Sequence, residues 1–131
     1  MSDASLVRAS KVKCVFPPDI LALEDFNFEV KEGEFVGLVG PCGAGKSVAL
    51  RLMAGLEHPA EGEIYFRGDL VKGTDYRRPL VFQETSLYPW MTILDNVMFG
   101  PQARGVKPKE ARQKALEWLN FMGLSKFQNS Y

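Results

Sequence analysis

The stretch Gly40–Ser47, G-P-C-G-A-G-K-S, constrains this chain more than any other. It fits the pattern G-x-x-x-x-G-K-[ST], in which a glycine-rich loop turns its backbone N–H groups onto phosphate oxygens. The flanks supply a setting for it. Phe35-Val36-Gly37-Leu38-Val39 is short, apolar and bounded by glycine, and predicts a buried strand. Because that strand is apolar on both faces, it predicts a central place in a parallel sheet. Val48–Ala54 is rich in helix formers and is followed by Gly55, a suitable C-terminal stop.

The residue types follow from the chemistry of a polyphosphate. Gly43 and Gly45 let the backbone curl with no Cβ in the way, so that successive N–H groups point inward. The free N–H groups and positive dipole end of the following helix add to the cradle. Lys46 is placed to reach the β- and γ-phosphates, and the Ser47 hydroxyl to bind Mg²⁺.

Composition excludes several classes. At 131 residues the chain is long enough for one small domain, its 46% apolar residues suit a globular core, and nine Phe, four Tyr and two Trp argue against disorder. Sixteen basic and sixteen acidic residues cancel, and no basic block speaks for a nucleic-acid partner. The two cysteines, Cys14 and Cys42, are expected as reduced thiols, since a disulfide at Cys42 would obstruct the phosphate loop. The N-terminus carries no signal-peptide pattern, and no apolar run is long enough for a bilayer span. A membrane role must therefore go through a partner.

Along the chain, Leu6–Phe16 alternates in its second half and predicts a half-buried strand, ended by Pro17-Pro18-Asp19. Leu21–Val30 alternates again, with a phase slip at Glu24-Asp25 that predicts a bulge or bend. Lys31–Glu34 is a polar turn, His58–Glu63 a loop, Ile64–Phe66 a short strand, Arg67–Asp69 a turn and Leu80–Phe82 another strand ending on Gln83. Thr92 is expected to cap a helix that has Asp95 in its first turn. Pro108–Met122 predicts an amphipathic helix with Ala111, Ala115, Trp118, Leu119 and Met122 on its apolar face and Gly123 at its end.

Four stretches in this order and spacing resemble the N-terminal part of an ABC-transporter ATP-binding subunit: Val12–Phe16, Glu32–Ser47, Val81–Glu84 (V-F-Q-E) and Leu87–Gly100 (L-Y-P-W-M-T-I-L-D-N-V-M-F-G). The last is similar to import-type subunits for nitrate, sulfonates or taurine. The resemblance implies an α/β P-loop NTPase fold, with an antiparallel β subdomain and an incomplete mixed or parallel core sheet carrying helices. The whole of 1–131 is then one partial ATP-binding domain. It implies binding of Mg²⁺ and ATP, with Gly40, Pro41, Cys42, Gly43, Ala44, Gly45, Lys46, Ser47 and the Val48 N–H around the phosphates. Phe16 matches an aromatic that stacks on adenine, or is an ordinary strand aromatic. Lys46 and Gln83 match catalytic positions. Gln83, an uncharged donor and acceptor, touches metal and attacking water, and shares metal contact with Ser47. Leu87, Tyr88, Trp90 and Met91 match a surface that receives a transmembrane permease subunit, or are core.

The resemblance further implies a dimer with a second ATP-binding subunit, a solute-binding protein acting indirectly, and a peripheral place on the cytoplasmic face of the membrane. Two residues depart from the pattern. Val48 replaces a hydroxyl residue, with loss of a hydrogen bond worth about 1 kcal/mol. Cys42 stands where serine or another small residue is common. The family's L-S-G-G-Q signature, aspartate-glutamate pair and switch histidine belong further along, so the chain is expected to end just before the signature. The expected function is ATP-driven solute import by the intact subunit, an ATPase. The alternatives are a non-hydrolysing nucleotide-binding fragment and another P-loop NTPase, although no N-K-x-D-like guanine reader is present.

Overall fold

The computed structural model of the chain describes residues 5–131, which divide into two units, one running to Val81 and one from Phe82 to Tyr131. The first unit is built on β1 (Ser5–Phe16) and β2 (Ile20–Lys31), an antiparallel hairpin of two long strands. β3 (Glu61–Phe66) pairs with the other edge of β1, and β4 (Asp69–Leu70) with β3, giving the order β2-β1-β3-β4 with every pairing antiparallel. Arg67 and Gly68 both have positive φ, 51° and 87°, as the two-residue turn between paired Phe66 and Asp69 requires.

The expected phase slip is a bulge. Between the pairs Val12↔Phe26 and Cys14↔Leu23, β2 advances three residues against two on β1, and Asp25 has φ 47°. A second bulge, not foreseen, sits at Lys11 (φ 49°), where β1 gains a residue on both partners. The Lys11 N–H it turns out of the ladder donates to Asn27 Oδ1 at 2.8 Å. Gly62 (φ 82°) lies over it, where a Cβ would come within 2.3 Å of the Lys11 carbonyl oxygen.

The helix α1 (Lys46–Ala54) lies on this sheet, with Leu52 packed among Ala9, Val12, Cys14 and Ile64. It ends on Gly55 (φ 78°). There Gly55 N–H bonds Leu52 O and Leu56 N–H bonds Arg51 O, a Schellman pair that satisfies two orphan carbonyls. Arg78 donates to Met53 O and Gly73 O at 2.7 Å each, tying the 73–78 loop to the same helix end. Burial pushes the Cys14 thiol pKa up, and the Glu57 charge adds to that.

The second unit packs α2 (Ile93–Ala103) on α3 (Pro108–Phe121) through Leu94, Met98, Ala111, Ala115 and Leu119. Thr92 caps α2 as expected, its Oγ1 accepting Asp95 N–H at 3.1 Å. The N–H groups of Ile93 and Leu94 donate to the carbonyls of Ser130 and Gln128, which satisfies further donors of that helix start.

Three expectations need correction. Phe35–Val39 forms no ladder among the described residues, and Phe35 and Val39 are 100% and 98% exposed, so the parallel core strand is absent. Leu80–Phe82 is likewise unpaired, with Val81 92% exposed. A strand exists through its neighbours, and no described strand pairs with either segment. The expected mixed or parallel sheet thus reduces to its antiparallel part. Trp118 and Met122 stay exposed, and the packed stripe of α3 is the narrower Ala111, Ala115, Leu119, one residue every four.

Candidate functional site

The loop Gly40–Gly45 leads directly into α1. Gly43 and Gly45 have φ 83° and 80°, the left-handed region in which a side chain is strained. Gly45 is fixed twice over, because a Cβ there would stand 2.6 Å from Leu23 Cδ2 and 2.7 Å from the Ala22 carbonyl oxygen. The loop thus rests directly on β2. Within it, Ala44 N–H bonds Pro41 O at 3.3 Å, and Ala49 N–H bonds Gly45 O at 2.8 Å. The N–H groups of Gly43, Gly45, Lys46, Ser47 and Val48 have no hydrogen-bond partner among the described residues.

The first turn of α1 carries no acidic residue and its last turn carries Arg51. The positive end of the helix dipole is therefore left unneutralised next to those free N–H groups, which suits an anion. The Lys46 ammonium has three donors. Two go to the Gly40 and Pro41 carbonyls at 2.7 Å each, which folds the side chain across the loop. Cys42 is exposed and free, and lies in the loop rim.

Val48 explains its own departure from a hydroxyl residue. Its half-buried side chain packs against the cluster around Val12 and Leu52, so it faces the sheet and leaves only its N–H for the loop. Phe16, at the end of β1, is half-buried against the same cluster. A hard, oxygen-seeking ion such as Mg²⁺ is held by one or two protein oxygens together with phosphates and waters. The Ser47 hydroxyl, at the helix start and exposed, and the exposed Gln83 amide are oxygens of that kind, and neither makes a hydrogen bond among the described residues.

Gln83 belongs to the second unit, as do Leu87, Tyr88, Trp90 and Met91. Leu87 and Trp90 are 65% and 70% exposed, while Tyr88 and Met91 are half-buried. The Tyr88 ring lies 4.6 Å from the Phe99 ring and 5.5 Å from Trp90. Asn96, which the sequence does not single out, hydrogen-bonds the backbone of this segment at both ends. An asparagine in a helix's first turn, four residues after the Thr92 cap and directly after Asp95, is the only trace of it in the sequence.

Residues 23–131 match the family model described as ABC transporter. The chain belongs to that family. It is 43% identical over 112 residues to the nitrate import ATP-binding protein NrtD of Synechocystis, covering 86% of this chain and 42% of that protein. It is 38% identical over 109 residues to the taurine import ATP-binding protein TauB of Pelagibacter ubique, covering 83% and 41%. It thus spans about two-fifths of the length of these curated relatives. Among solved structures it resembles a dimeric bacterial ABC transporter cassette, with TM-score 0.80 and 31% identity over 94% of this chain and 60% of that one. A post-hydrolysis dimer of an ATP-binding cassette bound to ADP and Pi gives TM-score 0.78 and 32% identity over the same shares. The α/β fold and the family expected from the motifs are therefore those found. No helix among the described residues is long and apolar enough to cross a membrane.

Proposed function

We propose that this chain is the N-terminal part of an ATP-binding domain whose intact subunit hydrolyses ATP to drive solute import. The observation that carries it is the run of free N–H groups at the acid-free start of α1, framed by Gly43 and Gly45 and crossed by Lys46. These groups would hold the β- and γ-phosphates, with Lys46 exchanging its Gly40 and Pro41 carbonyls for phosphate oxygens. Ser47 and Gln83 would hold Mg²⁺, which when bound neutralises charge developing on the transferred phosphoryl group. Gln83 would orient the attacking water as well, and Phe16 would meet the adenine. The import names of its relatives support a nitrate-, taurine- or sulfonate-type transporter. Import names also support a membrane-embedded permease as partner, and the dimeric cassettes a second ATP-binding subunit. In this reading the permease docks on Leu87, Tyr88, Trp90 and Met91 at the cytoplasmic face, and a solute-binding protein acts indirectly.

The test is titration of the full-length subunit with a fluorescent ATP analogue. Lys46→Ala removes charge-assisted bonds worth about 1.5–3 kcal/mol each, so affinity is expected to fall tenfold or more. Equal affinity in both proteins would remove the assignment. Gln83→Ala is expected to lower kcat in the assembled transporter with a smaller change in KM, because its interaction is made late in the reaction. An unchanged kcat would reject its role.

A further inference from the structure

Asn96 lies in the first turn of α2 and is half-buried. Its Oδ1 accepts Tyr88 N–H at 2.8 Å, and its Nδ2 faces the carbonyls of Tyr88, Met91 and Thr92 at 3.1, 3.1 and 3.0 Å. Tyr88 and Met91 are the first and last residues of a turn closed by Met91 N–H to Tyr88 O at 3.0 Å. Pro89 takes the second position of that turn, where its fixed φ is favourable, and Trp90 the third. One amide thus grips both ends of the turn and fastens it to the helix. The gripped turn holds Trp90 in water, 70% exposed, although an indole gains by burial. Asparagine is a poor helix former, so local propensity does not account for the residue.

We propose that Asn96 is a positioning residue that holds the Tyr88–Met91 turn in one geometry, so that Trp90 and Leu87 are presented ready-formed to the membrane-embedded partner subunit. The proposal rests on the reading of Leu87–Met91 as the partner surface. Asn96 then governs coupling between subunits and leaves nucleotide binding alone. A turn already ordered loses little freedom on docking, whereas a loose one must be ordered at that moment.

Asn96→Asp tests this in the full-length subunit, alone and assembled with its membrane subunits in proteoliposomes. Aspartate keeps the acceptor for Tyr88 N–H and replaces the donor by an oxygen facing three carbonyls. ATP affinity of the isolated subunit is expected to stay within about twofold, while transport-coupled ATPase and retention in the assembled transporter fall about tenfold or more. Unchanged coupling would overturn the proposal. So would a parallel loss of ATP affinity, which would make Asn96 a general fold residue. Pro89→Gly loosens the same turn without touching α2, and is expected to act in the same direction with smaller size. If Asn96→Asp cannot be purified, this variant decides, and unchanged coupling in it overturns the proposal. Trp90→Ala examines the underlying reading separately. Full coupling without Trp90 would remove the partner surface itself, and so the proposal with it. Lost coupling in Trp90→Ala beside normal coupling in Asn96→Asp would reject Asn96 alone.

Discussion

The phosphate loop and the Tyr88–Met91 turn are both short irregular segments ahead of a helix, yet their backbones are treated in opposite ways. In the loop, five N–H groups between Gly43 and Val48 have no partner among the described residues. In the turn, Tyr88 is bonded through both its N–H and its carbonyl, and Met91 through both of its own. Exposed backbone donors can be left to water at little cost, and only such open donors can later take an anion. A segment whose donors are closed by its own protein keeps its shape with nothing bound. The first arrangement is responsive to a ligand, and the second is preorganised for a partner.

The comparison breaks most completely at Gly45. Gly45→Ala meets a φ of 80° and a backbone oxygen 2.7 Å from the new Cβ, so neither the loop nor β2 can stay in place. The left-handed strain alone is worth about 1–3 kcal/mol. Gly43→Ala meets the same strain (φ 83°) but open space. Urea unfolding and ATP-analogue titration of the full-length subunit are expected to rank Gly45→Ala clearly below Gly43→Ala in both stability and affinity. Equal losses would show that the seat of the loop on β2 does not matter.

A smaller effect sharpens the other side of the comparison. Thr92 accepts Asp95 N–H and donates to Asp95 Oδ2 at 2.6 Å, which closes the start of α2 just beyond the turn. Thr92→Ala is expected to lower the stability of the full-length subunit by about 1 kcal/mol. ATP affinity should not move. A fall in affinity comparable to that of Lys46→Ala would contradict the separation drawn between the two segments.

Local chemistry was legible in the sequence where the cause is local. Glycines 43, 45 and 55, the Thr92 cap and the Asp25 bulge all sit where the pattern predicts, because each is set by residues within one turn or one strand pair. What could not be read depends on distant partners. The Lys11 bulge is held by Asn27, sixteen residues away, and Gly62 covers it from a third strand. The apolar run Phe35–Val39 indicates a surface that gains by burial but not what pairs with it, and the described residues supply no neighbouring strand. Trp118 fits a helical stripe by spacing yet remains 62% exposed, because the contact with α2 is narrow enough for alanines to fill. The position of Asn96 behind the Thr92 cap is a trace in sequence, but its partners are not readable there, because they are main-chain atoms, which every residue has.

The smallest expected effect concerns how such segments are closed. The loop 73–78 at the end of α1 is closed partly by charge. Arg77 donates to the Asp75 carboxylate from its side chain at 2.7–3.1 Å and from its backbone N–H at 2.9 Å. These bonds, the side-chain ones first, hold the Asp75 carboxyl at about 2 rather than 3.8. A depressed carboxyl pKa stabilises the fold fully above the unfolded value, and that contribution is lost as pH falls through the folded value. The Asp75 contribution should therefore disappear between pH 3.8 and about 2. The pair is near the surface and screened by salt, so the effect is small. The Asn96 amide does not titrate, so the Tyr88–Met91 turn has no counterpart to it. Urea midpoints of the full-length subunit at stepped pH values, for wild type and Asp75→Asn, provide the measurement. The difference between the two is expected to shrink as pH falls through that window, and to shrink further in high salt. A difference that stays constant with pH would mean that Asp75 acts through its shape and not its charge.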